Sequence, residues 1–160
     1  MPTEAEAACN RACVHLQGRI NEMGAAIEWE PLPTVLADGT QLVQLLQNLI
    51  GNALKFCKPR EAPQIHISAT PKEEMWQFSV HDNGIGIAPE FQERIFVIFQ
   101  RLHTREAYPG TGIGLAVCKK IVQRHGGQIW VESRPDEGAT FFFTLPMAED
   151  WSEQDLPDRT

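Results

Sequence analysis

Two glycine-rich runs bordered by polar side chains are the stretches of this sequence best suited to chemistry. Asp82-Asn83-Gly84-Ile85-Gly86-Ile87 follows an alternating stretch typical of a half-buried strand, so an acid and two glycines stand where a strand ends. Gly110-Thr111-Gly112-Ile113-Gly114-Leu115 precedes apolar residues at helical spacing, and Thr111 can cap that helix. Glycines admit a ligand close to the backbone, and the N–H groups of a helix N-terminus suit a phosphate.

A third element lies upstream of these runs. Asn48, Asn52 and Lys55 recur at i, i+4 and i+7, beside the apolar stripe of a long helix predicted to begin at Asp38. An amide oxygen suits Mg²⁺ and a lysine suits phosphate, although a solvated helix face accounts for the same pattern. Glycine turns also have purely structural uses, and neither run is a Walker loop or a convincing dinucleotide fingerprint.

Length and composition indicate one domain of ordinary size. The 160 residues are 42% hydrophobic, which is enough for a substantial core, and we expect this domain over residues 1–148 with an acidic, disordered tail over 149–160. The net charge of −7 argues against nucleic acid or an anionic membrane surface as a partner. Since no membrane span or signal peptide is evident, we expect a cytoplasmic protein or a soluble piece of a larger one.

The four cysteines are expected to be buried thiols of a reducing compartment. They include no C-x-x-C pair, and Cys9, Cys13 and Cys118 fall in segments with helical apolar spacing. Cys9 and Cys13 share one helix face, which leaves a metal site as the alternative to core packing. A disulfide framework is not expected.

The remaining pattern predicts alternating helices and strands. Thr3-Glu4-Ala5-Glu6 has the form of a capping box for a first helix that ends at Gly24, and no edge strand is expected before it. The stripe of that helix suits the domain's own sheet or a partner helix. The other expected elements are strands over 26–30, 65–70, 75–80, 128–133 and 140–145, an extended piece at 34–37, a short helix at 89–95, a mobile lid at 100–109 and a helix from Thr111 to Gly126-Gly127.

Placed side by side, these motifs resemble the catalytic ATP-binding domain of sensor histidine kinases, the Bergerat fold. The residues from Asn48 to Phe56 look like the family's N box, and those from Asp82 to Ile87 like its first glycine box. Residues 96–99, Gly110 to Leu115 and Gly138 to Phe141 look like the F box, the second glycine box and the closing one. The sequence of residues 101–105 is most similar to that of kinases of the phytochrome-linked type.

The resemblance implies an α/β two-layer sandwich, in which a mixed, largely antiparallel sheet is covered on one face by three helices and ATP lies beneath a mobile lid. It implies that Asn52 coordinates Mg²⁺, that Asn48 and Lys55 approach the phosphates, and that Asp82 accepts the adenine amino group. Arg101 is implied to meet the γ-phosphate. Other positions are implied to contact the nucleotide: Phe56, Gly84, Gly86, Ile87, Gly110, Thr111, Gly112, Ile113, Gly114, Leu115 and Thr140.

The resemblance also implies a phosphoryl donor. Members of the fold that hydrolyse ATP carry a glutamate four residues before the metal-binding asparagine, whereas this position is Asn48, a poor base. The acceptor histidine of such kinases lies on a dimerisation helix and precedes an acidic residue, and none of the five histidines has that setting. The implied partners are therefore a separate dimerisation and phosphoacceptor domain of the same kinase and a response regulator. The alternatives are an ATP-binding scaffold without phosphotransfer and a protein serine kinase of the anti-sigma type.

Overall fold

The structure, a computed structural model, describes residues 2–87, 111–134 and 136–148, and for residues 111–114 it describes the backbone alone. The predicted helix at 89–95, the F box, the lid with Arg101 and Gly110, and the tail at 149–160 lie outside these ranges. The elements follow in this order: β1 (Pro2–Glu4), α1 (Ala5–His15), α2 (Gln17–Met23), β2 (Ala26–Trp29), β3 (Thr34–Leu36), α3 (Gly39–Lys55), β4 (Gln64–Lys72), β5 (Met75–Asp82), α4 (Thr111–Arg124), β6 (Ile129–Ser133) and β7 (Ala139–Pro146). None of the described helices is long and apolar enough to cross a membrane.

The main sheet has five strands in the order β2-β4-β5-β7-β6. β2 runs parallel to β4, and the other neighbouring pairs are antiparallel, so the predicted mixed, largely antiparallel sheet is confirmed. The register places the last residue of β5, Asp82, between Ile65 of β4 and Ala139 of β7. β1 and β3 form a separate two-stranded antiparallel sheet.

The hydrophobic core lies between the helices and one face of the five-stranded sheet. On β5, Trp76, Phe78 and Val80 alternate toward this core, as the period of two predicts. On α3, the predicted stripe is buried over its whole length, with Leu42, Leu45, Leu46, Leu49 and Ala53 at most 4% exposed. Asp38 caps α3, because its carboxylate accepts the Gln41 N–H at 2.9 Å.

The N-terminus differs from the prediction. Residues 2–4 form the edge strand β1, so Thr3 cannot cap the helix; its hydroxyl instead donates to the Ala37 carbonyl at 2.7 Å. Glu6 accepts the Leu32 N–H at 3.3 Å, and the N-cap residue Glu4 makes no side-chain cap bond. The expected capping box and the expected absence of an edge strand are therefore both wrong, since pairing with β3 competes for the same residues.

The first predicted helix is divided into α1 and α2 at Leu16, where φ is −102° and ψ is 5°. The described part of the chain consequently has four helices where the resemblance implied three. The predicted stop at Gly24 is confirmed, with the left-handed φ of 64° that glycine tolerates. The buried face of α1, which includes Cys9 and Ala12, belongs to the same core as α3, so the stripe packs within the domain.

The separation of the sheet into an inner and an outer face can be tested at two adjacent aromatic residues of β7. Phe143 stacks on Phe78 inside the core, with ring centroids 4.8 Å apart, whereas Phe142 stacks on Trp130 on the outer face at 5.4 Å. We expect Phe143→Ala to lower the free energy of unfolding by about 3–5 kcal/mol, because it leaves a buried cavity. The matched variant Phe142→Ala loses a half-buried cross-strand contact worth up to about 1 kcal/mol. Urea unfolding of both variants measures the difference, and equal losses would contradict the assigned faces.

Candidate nucleotide-binding site

The polar row of α3 runs along the edge of its buried stripe. Asn48 and Asn52 are half-buried, and Lys55 is exposed in the last turn of the helix. The amide nitrogen of Asn52 is buried and has no hydrogen-bond partner among the described residues. A buried donor without a partner costs folding free energy, so this NH₂ group suits an acceptor such as a phosphate oxygen. The amide oxygens of the row suit a cation, and Lys55 suits a phosphate.

Asp82 ends β5 on the inner face of the sheet. It follows Trp76, Phe78 and Val80 in the alternation and is 7% exposed, so an acid stands where an apolar residue is expected. Burial raises the pKa of this carboxyl above its ordinary value, while backbone hydrogen bonds from Gly84 and Ala139 and the nearby His81 act in the opposite direction. The Gly84 N–H donates to the carboxylate at 2.8 Å. These donors fix the position of the carboxylate at the end of β5.

The turn after Asp82 is joined to the end of α3. The Ile85 N–H donates to the carbonyl of Phe56 at 3.0 Å, and the Phe56 N–H donates to the carbonyl of Asn52 at 3.0 Å. A side chain at Gly84 would collide with the Phe56 carbonyl and would stand 2.9 Å from the Asp82 carboxylate. Only glycine permits this approach, so the first glycine run serves to bring the strand end against the polar helix.

The same turn is also tied to the hairpin between β6 and β7. The Ile87 N–H donates to the Ser133 hydroxyl at 2.7 Å, and that hydroxyl donates to the Gly138 carbonyl at 2.8 Å. Gly86 has a φ of 78°, and Gly138 has a φ of 79° and lies against the backbone of Asp82, where a side chain would collide with the Asp82 carbonyl. The predicted positions Gly84, Gly86 and Ile87 thus belong to a turn that is anchored on two sides.

Two predicted positions do not join this group. Thr140 lies on the outer face of the sheet, where its hydroxyl is 2.7 Å from Nδ1 of His81 and borders an open hollow of about 560 Å³. Leu115 is 2% exposed in the hydrophobic core. Arg101 and Gly110 lie outside the described residues. Only the backbone is described for Thr111, Gly112, Ile113 and Gly114, and it forms the first turn of α4.

Sequence reasoning missed two contacts of the site. Ser133 bridges the turn and the β6–β7 hairpin, and the thiol of Cys118 in α4 donates to the carbonyl of Leu45 in α3 at 3.9 Å. Both are tertiary contacts that local patterns do not encode, although helical spacing did place Cys118 on the buried face of α4. The cysteines are free thiols, and the described residues contain no cluster of metal-ligating side chains, so the metal alternative for Cys9 and Cys13 has no support there.

A row of amides and a lysine on one helix, a buried acid at a strand end, and a glycine turn that joins them lie together, as the resemblance to the Bergerat fold predicts. The class of the protein follows from this arrangement on a mixed, largely antiparallel sheet: it has the ATPase fold of histidine kinase catalytic domains.

The comparisons with known proteins give the family. The chain belongs to the histidine kinase-, DNA gyrase B- and HSP90-like ATPases, whose pattern it matches over residues 37–149. It is 62% identical over 145 residues to cyanobacterial phytochrome A of Nostoc sp., which covers 91% of this chain and 19% of that protein. It is 53% identical over 145 residues to the phytochrome-like protein Cph1 of Synechocystis sp., with the same coverage of 91% and 19%. The chain thus spans about a fifth of the length of these relatives.

Solved structures agree with this assignment. The catalytic domain of the histidine kinase ThkA superposes with a TM-score of 0.76 at 31% identity, over 91% of this chain and 94% of that one. Full-length ShkA in complex with AMPPNP superposes with a TM-score of 0.78 at 33% identity, over 95% of this chain and 32% of that one. The predicted fold and the predicted kinship with phytochrome-linked histidine kinases are confirmed, and the chain has the fold of the catalytic domains of this family.

The raised pKa of Asp82 predicts that the site acid destabilises the ligand-free fold. The part of the stability linked to a group with a raised pKa is fully present below its ordinary pKa and is lost as the pH rises through the raised value. At neutral pH we therefore expect Asp82→Asn to raise the thermal unfolding midpoint, and we expect this gain to vanish on acidification. Asp38→Asn is the control, because asparagine is an equally good N-cap, and its midpoint should stay near that of the wild type. A destabilised Asp82→Asn at neutral pH would contradict this account.

Proposed function

We propose that this chain is the catalytic domain of a sensor histidine kinase, which transfers the γ-phosphoryl group of ATP to a histidine on a dimerisation domain outside these 160 residues. The observation that carries the proposal is the backbone bond from Ile85 to Phe56, because it joins the turn after the buried Asp82 to the polar helix. The kinship with phytochromes supports the same activity. Since the domain consumes ATP, we place it in the cytoplasm, without nucleic acid or a membrane surface as a partner.

Asp82 is proposed to select adenine. A buried carboxylate offers only acceptors, so it can accept the exocyclic amino group of adenine but has nothing to offer the carbonyl oxygen that guanine carries at that position. Gly84, Gly86 and Ile87 would admit the base beside the carboxylate, with Phe56 near the purine. Burying the Asp82 carboxylate costs free energy in the ligand-free protein. A donor from the bound base would offset this cost.

Asn52, Asn48 and Lys55 are proposed to hold the metal and the phosphates. The amide of Asn52, whose nitrogen is buried without a partner among the described residues, would turn its oxygen to Mg²⁺, and Lys55 would reach a phosphate. When bound, Mg²⁺ neutralises the charge that develops on the phosphoryl oxygens. Arg101 at the γ-phosphate, and Gly110, Thr111, Gly112, Ile113, Gly114, Leu115 and Thr140 at the nucleotide, stay predictions.

The proposed reaction is transfer to another protein with little hydrolysis. Asn48 stands where a hydrolysing member of the fold would carry a base, and an amide cannot take a proton from water. An acceptor histidine and a response regulator are the proposed partners. A structure of histidine kinase ThkA in complex with the response regulator TrrA, with a TM-score of 0.73 at 29% identity to this chain, supports a regulator as a partner.

Nucleotide binding tests the site. Calorimetric titration with a non-hydrolysable ATP analogue should give saturable binding that strengthens with Mg²⁺ and that a GTP analogue does not reproduce. We expect Asn52→Ala to weaken the Mg²⁺-dependent binding about tenfold or more, the effect of removing a polar contact worth about 1.4 kcal/mol. Asn10→Ala, the same change on an exposed position of α1, should bind like the wild type. No binding by a folded wild-type chain would overturn the assignment.

Phosphotransfer tests the activity. We expect the chain to transfer the γ-phosphoryl group of ATP to an added dimerisation domain from a phytochrome relative, and the product should be an acid-labile phosphohistidine. A stable phosphoserine on an added protein would instead support the serine kinase alternative. Nucleotide binding without transfer to any acceptor would support the scaffold alternative.

A further inference from the structure

His125 links the C-terminal end of α4 to the N-terminal end of α3. Nε2 of its imidazole accepts the backbone N–H of Asp38, the N-cap residue of α3, at 3.1 Å. Nδ1 lies 2.7 Å from the carbonyl oxygen of Ile121, about one turn earlier in α4. One half-buried side chain thus bonds both helices, although they are far apart in the sequence.

The chemistry of the two partners fixes the tautomer of this ring. A backbone N–H can only donate and a carbonyl oxygen can only accept, so Nε2 of His125 is unprotonated and Nδ1 carries the proton. In the other tautomer, a proton on Nε2 would face the Asp38 N–H. The bridge therefore requires a particular form of the imidazole, which is a more specific demand than packing makes.

A second bond between the same helices lies two turns away. The thiol of Cys118 in α4 donates to the carbonyl of Leu45 in α3 at 3.9 Å. Leu45 lies seven residues after Asp38. Cys118 likewise lies seven residues before His125. The two helices are therefore antiparallel, and both bonds belong to one register along the pair.

The same register extends to the candidate site. Seven residues beyond Leu45 along α3 is Asn52, in the polar row. Seven residues before Cys118 along α4 is Thr111, the first residue of that helix. Each step is about two helical turns, or about 10 Å of axial length. The pairing thus leads from the His125 bridge to the N-terminal turn of α4, which contains the second glycine run, beside Asn52.

We propose that His125 is a positioning residue for the nucleotide site: its bridge to the Asp38 N–H sets the axial position of α4 along α3, and with it the approach of the second glycine run to Asn52. The inference rests on the proposed function, in which both motifs hold the nucleotide, and deepens it. His125 acts from a distance, because about 20 Å of helix separates it from Thr111.

The sheet fixes the same end of α4. Gly126 follows His125 and turns the chain with a left-handed φ of 79°. A side chain at Gly127 would collide with the carbonyl of Thr144 in β7, and the Gln128 N–H donates to the Thr144 hydroxyl at 2.9 Å. β7 therefore holds the C-terminal end of α4 in place, and the His125 bridge ties α3 to the same place.

Two substitutions in the full chain separate the bonds of this ring. In His125→Gln, Oε1 can take the place of Nε2 and accept the Asp38 N–H. In His125→Asn, the shorter side chain reaches only the place of Nδ1, so it keeps a donor for Ile121 and loses the bridge. His66→Asn is the matched control, because His66 bonds Glu30 at 2.9 Å on the other side of the sheet. Thermal unfolding of each variant establishes that the chain is folded.

The first measurement is a ¹H–¹⁵N spectrum of the ligand-free chain, which does not depend on ATP. In His125→Asn we expect the backbone amide of Asp38 to shift, because it loses its acceptor. The Thr111 backbone amide and the Asn52 side-chain amide, at the other end of the helix pair, should shift as well. His125→Gln should return all three toward their wild-type positions, and His66→Asn should leave them unchanged. A shift confined to Asp38 would overturn the positioning role, because the bridge would then have no effect on the register.

The second measurement is the affinity for the ATP analogue with Mg²⁺. Loss of one hydrogen bond should weaken it about threefold to tenfold in His125→Asn, with recovery in His125→Gln and no change in His66→Asn. Equal losses in both His125 variants, or no loss in His125→Asn, would overturn the inference. A wild-type chain that binds no nucleotide would instead overturn the proposed function, and the spectra of the ligand-free chain would still decide whether His125 sets the register.

Discussion

The site depends on one backbone hydrogen bond, from the Ile85 N–H to the Phe56 carbonyl. It fixes the end of the polar helix against the turn that follows Asp82, and the approach leaves no room for a side chain at Gly84. The bonds through Ser133 and Gly138 secure the other side of the turn. An amide row and a buried acid from different elements thus lie side by side because a backbone bond, which requires glycine at position 84, holds them together.

At Asp82, the chemistry expected of the site conflicts with the stability of the fold. Its neighbours on the inner face of β5 are Trp76, Phe78 and Val80, so an apolar residue would serve the core better at this position. The carboxylate is retained with backbone donors and a turn built around it. Such a conflict between local packing and residue type is the expected mark of a functional position.

The sequence predicted α3 closely, since its stripe, its cap at Asp38 and its polar row are all local patterns. The alternation along β5 likewise predicted a half-buried strand that ends near Asp82. Thr3 could not be assigned in this way, because a capping box and an edge strand compete for the same residues and only pairing with β3 decides between them. The bond from the Cys118 thiol to the Leu45 carbonyl joins two helices far apart in the chain, and the outward direction of Thr140 depends on register. Such features require the tertiary structure.

The order of the strands has a kinetic consequence. The pairs β4–β5 and β6–β7 are hairpins, whose strands are close in sequence and can associate within microseconds. The pairing of β5 with β7 and the parallel pairing of β2 with β4 join distant segments and must wait for loop closure. Asp82 lies at the end of one of these slow pairings, opposite Ala139. The nucleotide site is therefore completed late in folding. A ligand that recognises it binds only chains in which β5 and β7 are already paired.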